Sequence, residues 1–248
     1  MTITQCPKCG YQRQDSDRNV NALICPACGI VYHKWIERHQ PENSPLKPNA
    51  SFIIKPHPSW ISGIVDTLVY VPDETDPIVL AGRVLTWVAL FIWGCFFIST
   101  GIKWVVINNS FMHNINLPFH EFGHVLFMPF GDFMHILGGS LFQILLPLGL
   151  MAAFLVQRQD TFAASVMLWW AGQSLVDLAP YIADAQDRLM PLVGGGDEDS
   201  HDWGNLLTMM NLLDKTHTLA RFDFGLGSAL MLLASAWGAY VLYRQFNR

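Results

Sequence analysis

His120, Glu121 and His124 lie in the stretch His120-Glu121-Phe122-Gly123-His124, which fits H-E-x-x-H. On a helix this spacing puts both imidazoles on one face, one turn apart, where two ring nitrogens can grip one Zn²⁺. The glutamate beside them can take a proton from a zinc-bound water. A catalytic zinc uses three protein ligands and keeps a fourth position open, and the motif supplies only two of the three. Asp177, Asp184 and His201 are candidates for the third. Asp177 is an acid near the end of an apolar helix, where an ionisable group is expensive to keep without a function. Asp184 follows it at a similar helical phase, with Pro180 between them. His201 comes just after Gly194-Gly195-Gly196, which lets its loop fold back. Asp202 can orient a ligand imidazole from behind.

A second cluster lies near the N-terminus, in Cys6-Pro7-Lys8-Cys9-Gly10 and Cys25-Pro26-Ala27-Cys28-Gly29. Two C-x-x-C pairs separated by a longer loop are the pattern of one tetrahedral, four-thiolate structural zinc. The glycine after each second cysteine permits the tight turn that aims backbone N–H groups at sulfur. Paired thiolates of this kind belong to a reducing compartment. The fifth cysteine, Cys95, sits in an apolar run and is expected to be a buried small hydrophobe.

The elements that must hold these groups read as membrane helices. The chain of 248 residues is 51% hydrophobic and only 14% charged, well below the roughly 25% charge of ordinary soluble domains. Its net charge of -5 provides no basic field for nucleic acid. Apolar runs at 84–107, 133–156, 162–183 and 225–243 are each close to the ~20 helical residues that a bilayer core requires. A shorter segment, 117–130, carries H-E-x-x-H and suits a half-embedded helix, with Pro118 in its first turn. Two histidines and a glutamate at that depth call for a metal or a partner. Gly138, Gly139 and Ser140 permit close helix approach, and Gln143 is placed to bond a substrate backbone.

The expected fold is therefore an all-α integral membrane core of about four transmembrane helices plus the short half-embedded helix, with a small N-terminal zinc ribbon. Residues 1–33 form the ribbon, 34–77 a proline-rich linker that can lie on the membrane surface, and 78–248 the membrane domain. Arg83, Arg158, Arg244 and Arg248 flank the runs so that four spans with both termini inside obey the positive-inside rule. No apolar signal segment precedes the cysteines, so the expected location is a bacterial inner membrane, multi-pass, with a cytoplasmic N-terminus.

His120, Glu121 and His124 in an apolar helix, followed by further spans and a later acid in an apolar helix, resemble the site-2-protease class of intramembrane zinc metallopeptidases. The resemblance covers 84–243 in layout and is motif-grade at 120–124. It implies His120, His124 and Asp177 as zinc ligands, Glu121 as general base, and a membrane protein or peptide as substrate. The class typically sets its acid in a Leu-Asp-Gly context, whereas Asp177 stands in Leu175-Val176-Asp177-Leu178-Ala179-Pro180. Its site usually faces the cytoplasm, whereas the arginine pattern here puts 108–132 and 184–224 outside. Two zinc ions are expected, one catalytic and one structural, with the ribbon free to dock a protein partner. The competing expectation is a non-catalytic, zinc-stabilised scaffold or a subunit of a larger membrane complex.

Overall fold

A computed structural model describes residues 5–14, 16, 17, 20–39, 60–72, 75–191 and 200–247. The apolar triplet 52–54 and the glycine triplet 194–196 lie outside these. The chain divides into two units, 1–57 and 58–248.

In the first unit, two identical turns hold the cysteines. Gly10 N–H donates to Cys6 O and Gly29 N–H to Cys25 O, each at 2.9 Å. Both glycines have positive φ, 73° and 69°, a conformation a side chain would strain. Each turn closes with an isolated antiparallel bridge, Gln5 to Gln12 and Ile24 to Val31. Arg13 ties the intervening loop together by donating to the carbonyls of Asp17, Val20, Asn21 and Ile24. Helix α1 (Tyr32–His39) follows, with Tyr32 buried against Cys6 and Cys25. No strand forms among the described residues, so the cysteine unit is two metal-type turns and a helix.

The second unit is helical: α2 (Trp60–Leu68), α3 (Pro77–Thr100), α4 (Trp104–Asn108), α5 (Phe111–Phe127), α6 (Asp132–Ala153), α7 (Thr161–Ala183), α8 (Asp202–Met209) and α9 (Thr216–Phe246). Polar caps set several of the starts. Asp76 accepts from Ile78 N–H at 2.7 Å ahead of α3, and Asp160 from Ala163 N–H at 3.0 Å ahead of α7. Ser110 caps α5 by accepting from His113 N–H at 3.1 Å. That cap starts α5 at Phe111, so Pro118 sits inside the helix and not in a first turn as its sequence suggests.

Helix α7 is the centre of the bundle, with Gln173, Ser174, Val176 and Ala179 fully enclosed. It packs on α9 where Gly172 and Gly227 bring the two backbones together; a Cβ on Gly227 would stand 2.5 Å from Gly172 O. The apolar core joins Phe97, Ile107, Met112, Trp169, Val176 and Met231. Among the described residues, three helical segments are long and apolar enough to cross a membrane: Pro77–Thr100, Asp132–Arg158 and Leu213–Phe246. The run at 162–183, expected as a fourth, falls outside this set because Ser165, Gln173, Ser174 and Asp177, all turned into the protein interior, lower its hydropathy. Helix α3 is the outermost of the three, exposing Ile78, Leu85, Ile92 and Phe96. Cys95 also faces outward, contrary to its expected burial, because α3 packs along only one narrow side.

Candidate metal centre

Helix α5 presents His120 and His124 one turn apart, and their Nε2 atoms converge on one carboxylate oxygen. Asp202 Oδ2 lies 3.0 Å from His120 Nε2 and 3.2 Å from His124 Nε2. The far side of each ring is pinned. His120 Nδ1 is 2.8 Å from Gln143 Oε1, while Gln143 Nε2 donates to Ser174 O at 3.1 Å, which fixes the amide orientation. His124 Nδ1 is 2.8 Å from the carbonyl of His135, and His135 Nδ1 returns the bond to the carbonyl of His124 at 2.9 Å. A carbonyl only accepts, so both Nδ1 atoms carry hydrogen and each Nε2 is the atom turned to Asp202. Two imidazolium N–H groups donating to the carboxylate, or one divalent ion among the three groups, satisfies this geometry. Both outer nitrogens are oriented as metal-bound histidines require.

Gly139 makes room for this convergence. A Cβ there would stand 2.5 Å from His124 Nε2 and 2.6 Å from His120 Nε2. Gly123 and Gly138 likewise let α5 and α6 touch backbone to backbone. The Gly138-Gly139-Ser140 stretch therefore seats the histidines, and Gln143 is engaged by His120 rather than left for a substrate backbone.

Asp202 is delivered by the start of α8 and held on three sides. Its N–H donates to the Tyr181 hydroxyl at 2.9 Å, Trp203 Nε1 donates to Ser140 Oγ at 3.1 Å, and His201 Nδ1 accepts from Gly204 N–H at 3.0 Å. Burial works to raise the Asp202 pKa, but hydrogen bonds from His120 and His124 and their charge outweigh it and hold the carboxyl at about 2. Glu121 is exposed and lines a cavity of about 380 Å³ shared with His113, His120, His124, Tyr181 and Asp202. A carboxylate, two imidazoles and an acid thus face one open space.

None of the three expected third-ligand candidates meets the histidine pair, although Asp177 lines the same cavity. Asp177 lies 3.2 Å from His113 Nδ1 through both oxygens and accepts from Asn116 Nδ2 at 3.2 Å. Asn116 is itself fixed by Trp170 Nε1 at 2.8 Å and by Gln173 Oε1 at 2.9 Å. Asp177 therefore has a full set of partners on a different stretch of α5, more than one turn from His120. Asp184 accepts from Leu189 N–H at 3.1 Å and Met190 N–H at 2.8 Å, a turn-closing role. His201 is the N-cap of α8, with Nε2 3.3 Å from Asp184 Oδ2. The group that meets the histidine pair is Asp202. His113 and His135 flank the motif in sequence, but the pairing of His113 with Asp177, that of His135 with His124 and the place of Tyr181 behind Asp202 were not legible there. The i, i+7 spacing of His113 and His120 was the one signal that could have put His113 on the same face.

Among the described residues, Cys6, Cys9, Cys25 and Cys28 form a second metal-competent group. Cys6 and Cys28 sulfurs are 3.7 Å apart, as are those of Cys9 and Cys25, which is too long for a disulfide and close to the about 3.8 Å edge of a tetrahedron with zinc–sulfur arms of about 2.3 Å. Burial pushes the Cys25 thiol up, but N–H groups of Cys28 and Ala27 and the thiols of Cys28 and Cys6 bring it down to about 6. The four thiols can bind a metal such as zinc. No protein-family model, no curated protein and no solved structure matches this chain.

Proposed function

We propose that the chain is a membrane-embedded zinc metalloendopeptidase that hydrolyses a peptide bond in or beside the bilayer. His120, His124 and Asp202 hold the catalytic metal, and Glu121 is the general base. The observation that carries this reading is the convergence of three lone-pair donors beside a cavity-lining glutamate. His120, His124 and Asp202 would hold the zinc, which would supply a water of lowered pKa and Lewis acidity toward a carbonyl. Glu121 then accepts the water proton and delivers it to the leaving nitrogen. Gln143 and His135 hold the imidazoles in the tautomer that leaves Nε2 free for the metal. The half-open cavity keeps room for a substrate carbonyl, which a closed four-ligand structural site lacks.

Helix α7, with 23 residues, is about 34 Å long and serves as a fourth, protein-enclosed span. Arg83 is bonded to Asp160 at 2.9 Å, and Arg158 and Gln245 lie beside them, so the arginine-bearing ends of α3, α6 and α9 share one end of the bundle. The metal centre lies toward the other ends of α6 and α7. With the arginine end in the cytoplasm, the N-terminus is cytoplasmic and the cavity belongs to the outer half of the membrane. The cysteine unit then docks a partner or regulates, and does not feed substrate.

The test uses the full chain in lipid nanodiscs, with metal per chain measured by mass spectrometry and cleavage followed on a library of quenched transmembrane peptides. Glu121→Gln should keep both metals and lose cleavage by a factor of about 10²–10⁴. Cleavage that persists in this variant sinks the mechanism. A fully metallated wild-type chain that cleaves nothing in the library, by contrast, favours the scaffold.

A further inference from the structure

A second cavity, of about 220 Å³, opens at the arginine end of the bundle, far from the histidines along α6 and α7. Its lining includes Tyr70, Pro72, Arg83, Arg158, Thr161 and Gln245. The walls come from four places in the sequence: the segment after α2, the start of α3, the turn before α7 and the end of α9. The turn is built for the purpose of exposing Arg158: α6 ends in a wide helical turn, Phe154–Arg158, and Gln159 adopts a left-handed φ of 51°. Arg83 is partly engaged, donating one N–H to Asp160 at 2.9 Å and lying over the Phe162 ring. Arg158 is exposed and makes no hydrogen bond or ion pair among the described residues. Gln245 is 7% exposed, yet its Oε1 has no hydrogen-bond partner. An uncommitted guanidinium, a half-engaged one and the Gln245 side chain thus line one hollow. They ask for a ligand that has an anion and a neighbouring polar group.

The surroundings say where such a ligand comes from. Helix α2 is tethered at this end, with Trp237 Nε1 donating to Leu68 O and Thr161 Oγ1 to Tyr70 O, each at 2.7 Å. Val71 is buried with Phe162, Val241 and Leu242, but Ile64, Val65 and Leu68 of α2 are left exposed. Ile78, Val156 and Tyr243 are strongly exposed on the adjoining ends of α3, α6 and α9. A short apolar helix beside exposed span ends marks the level of lipid headgroups.

We infer that this cavity binds the headgroup of an anionic phospholipid, with the phosphate on Arg158 and a headgroup hydroxyl against the Gln245 side chain. Phosphatidylglycerol has this chemistry: one phosphodiester charge and free hydroxyls. A soluble glycerol phosphate shares it but has no chains to lie against the exposed apolar ends. Arg83 shapes the phosphate side with its remaining N–H groups, and Asp160 keeps it from swinging away.

The experiment reads thermal unfolding of the full chain in phosphatidylcholine nanodiscs titrated with phosphatidylglycerol, together with lipid retained in native mass spectrometry. Phosphatidylglycerol should raise the midpoint and remain bound at one per chain. Arg158→Ala should weaken its apparent affinity about fivefold while leaving the midpoint in phosphatidylcholine alone unchanged. Gln245→Met should also weaken it, whereas Arg244→Ala, at the same end but outside the cavity, should not. Equal affinity in Arg158→Ala and wild type overturns the site. Full stabilisation by soluble glycerol phosphate in phosphatidylcholine nanodiscs overturns the lipid assignment.

Discussion

Asp202 and Asp177 are both enclosed acids near α5, and their neighbours separate their roles. Asp202 faces the Nε2 atoms of two histidines, whereas Asp177 faces His113 and Asn116. We therefore expect Asp202→Asn to lose the metal of the histidine centre and Asp177→Asn to retain it, as measured by metal content per chain. Gln143→Leu removes the bond that fixes the His120 ring, and should weaken metal binding by about 10- to 100-fold in a chelator competition. Gly139→Ala puts a methyl against both Nε2 atoms and should abolish binding at this centre. The histidine pair and glutamate were legible in the sequence because their relation is local: four residues on a helix fix one face. Asp202 was read only as a supporting group, because it reaches His120 across 82 residues of sequence. No periodicity connects the two. Only the helix packing and the Tyr181 and Trp203 contacts bring the acid to the pair.

Among the elements, the long apolar helices were legible from composition, and α7 was the instructive partial exception. Its apolar residues pack against protein and its polar ones serve the two acid–histidine sites, so length marks it as a span while hydropathy does not. The extension of α5 back to Phe111 was hidden because Pro118 reads as a helix start, and the Ser110 cap overrules it. The α7–α9 crossing rests on two glycines whose replacement forces the backbones apart. Gly227→Ala should destabilise the bundle by about 1–3 kcal/mol, seen as a lower thermal midpoint in nanodiscs. Gly149→Ala, where a Cβ meets nothing within 4 Å, is the matching control and should leave the midpoint unmoved.

At the scale of the whole molecule, the cysteine unit and the helical unit each have a core of their own. The cysteine unit is too small to stand on apolar burial, and its fold should depend on metal. Cys9→Ser with Cys28→Ser should remove one metal per chain and expose the peptide around Tyr32 to protease, while the histidine centre keeps its metal. The C-x-x-C pairs disclosed this unit directly, since their glycine turns are encoded within a few residues.

The ligand set also has a consequence in time. His120 and His124 are synthesised well before Asp202, and α6 and α7 lie between them. A ribosome that has made the histidine pair has not yet made the acid that completes it. The acid therefore arrives only after α6 and α7 have been made, with α9 still to follow. A chain stalled before that point would offer a metal only the two imidazoles and would hold it weakly.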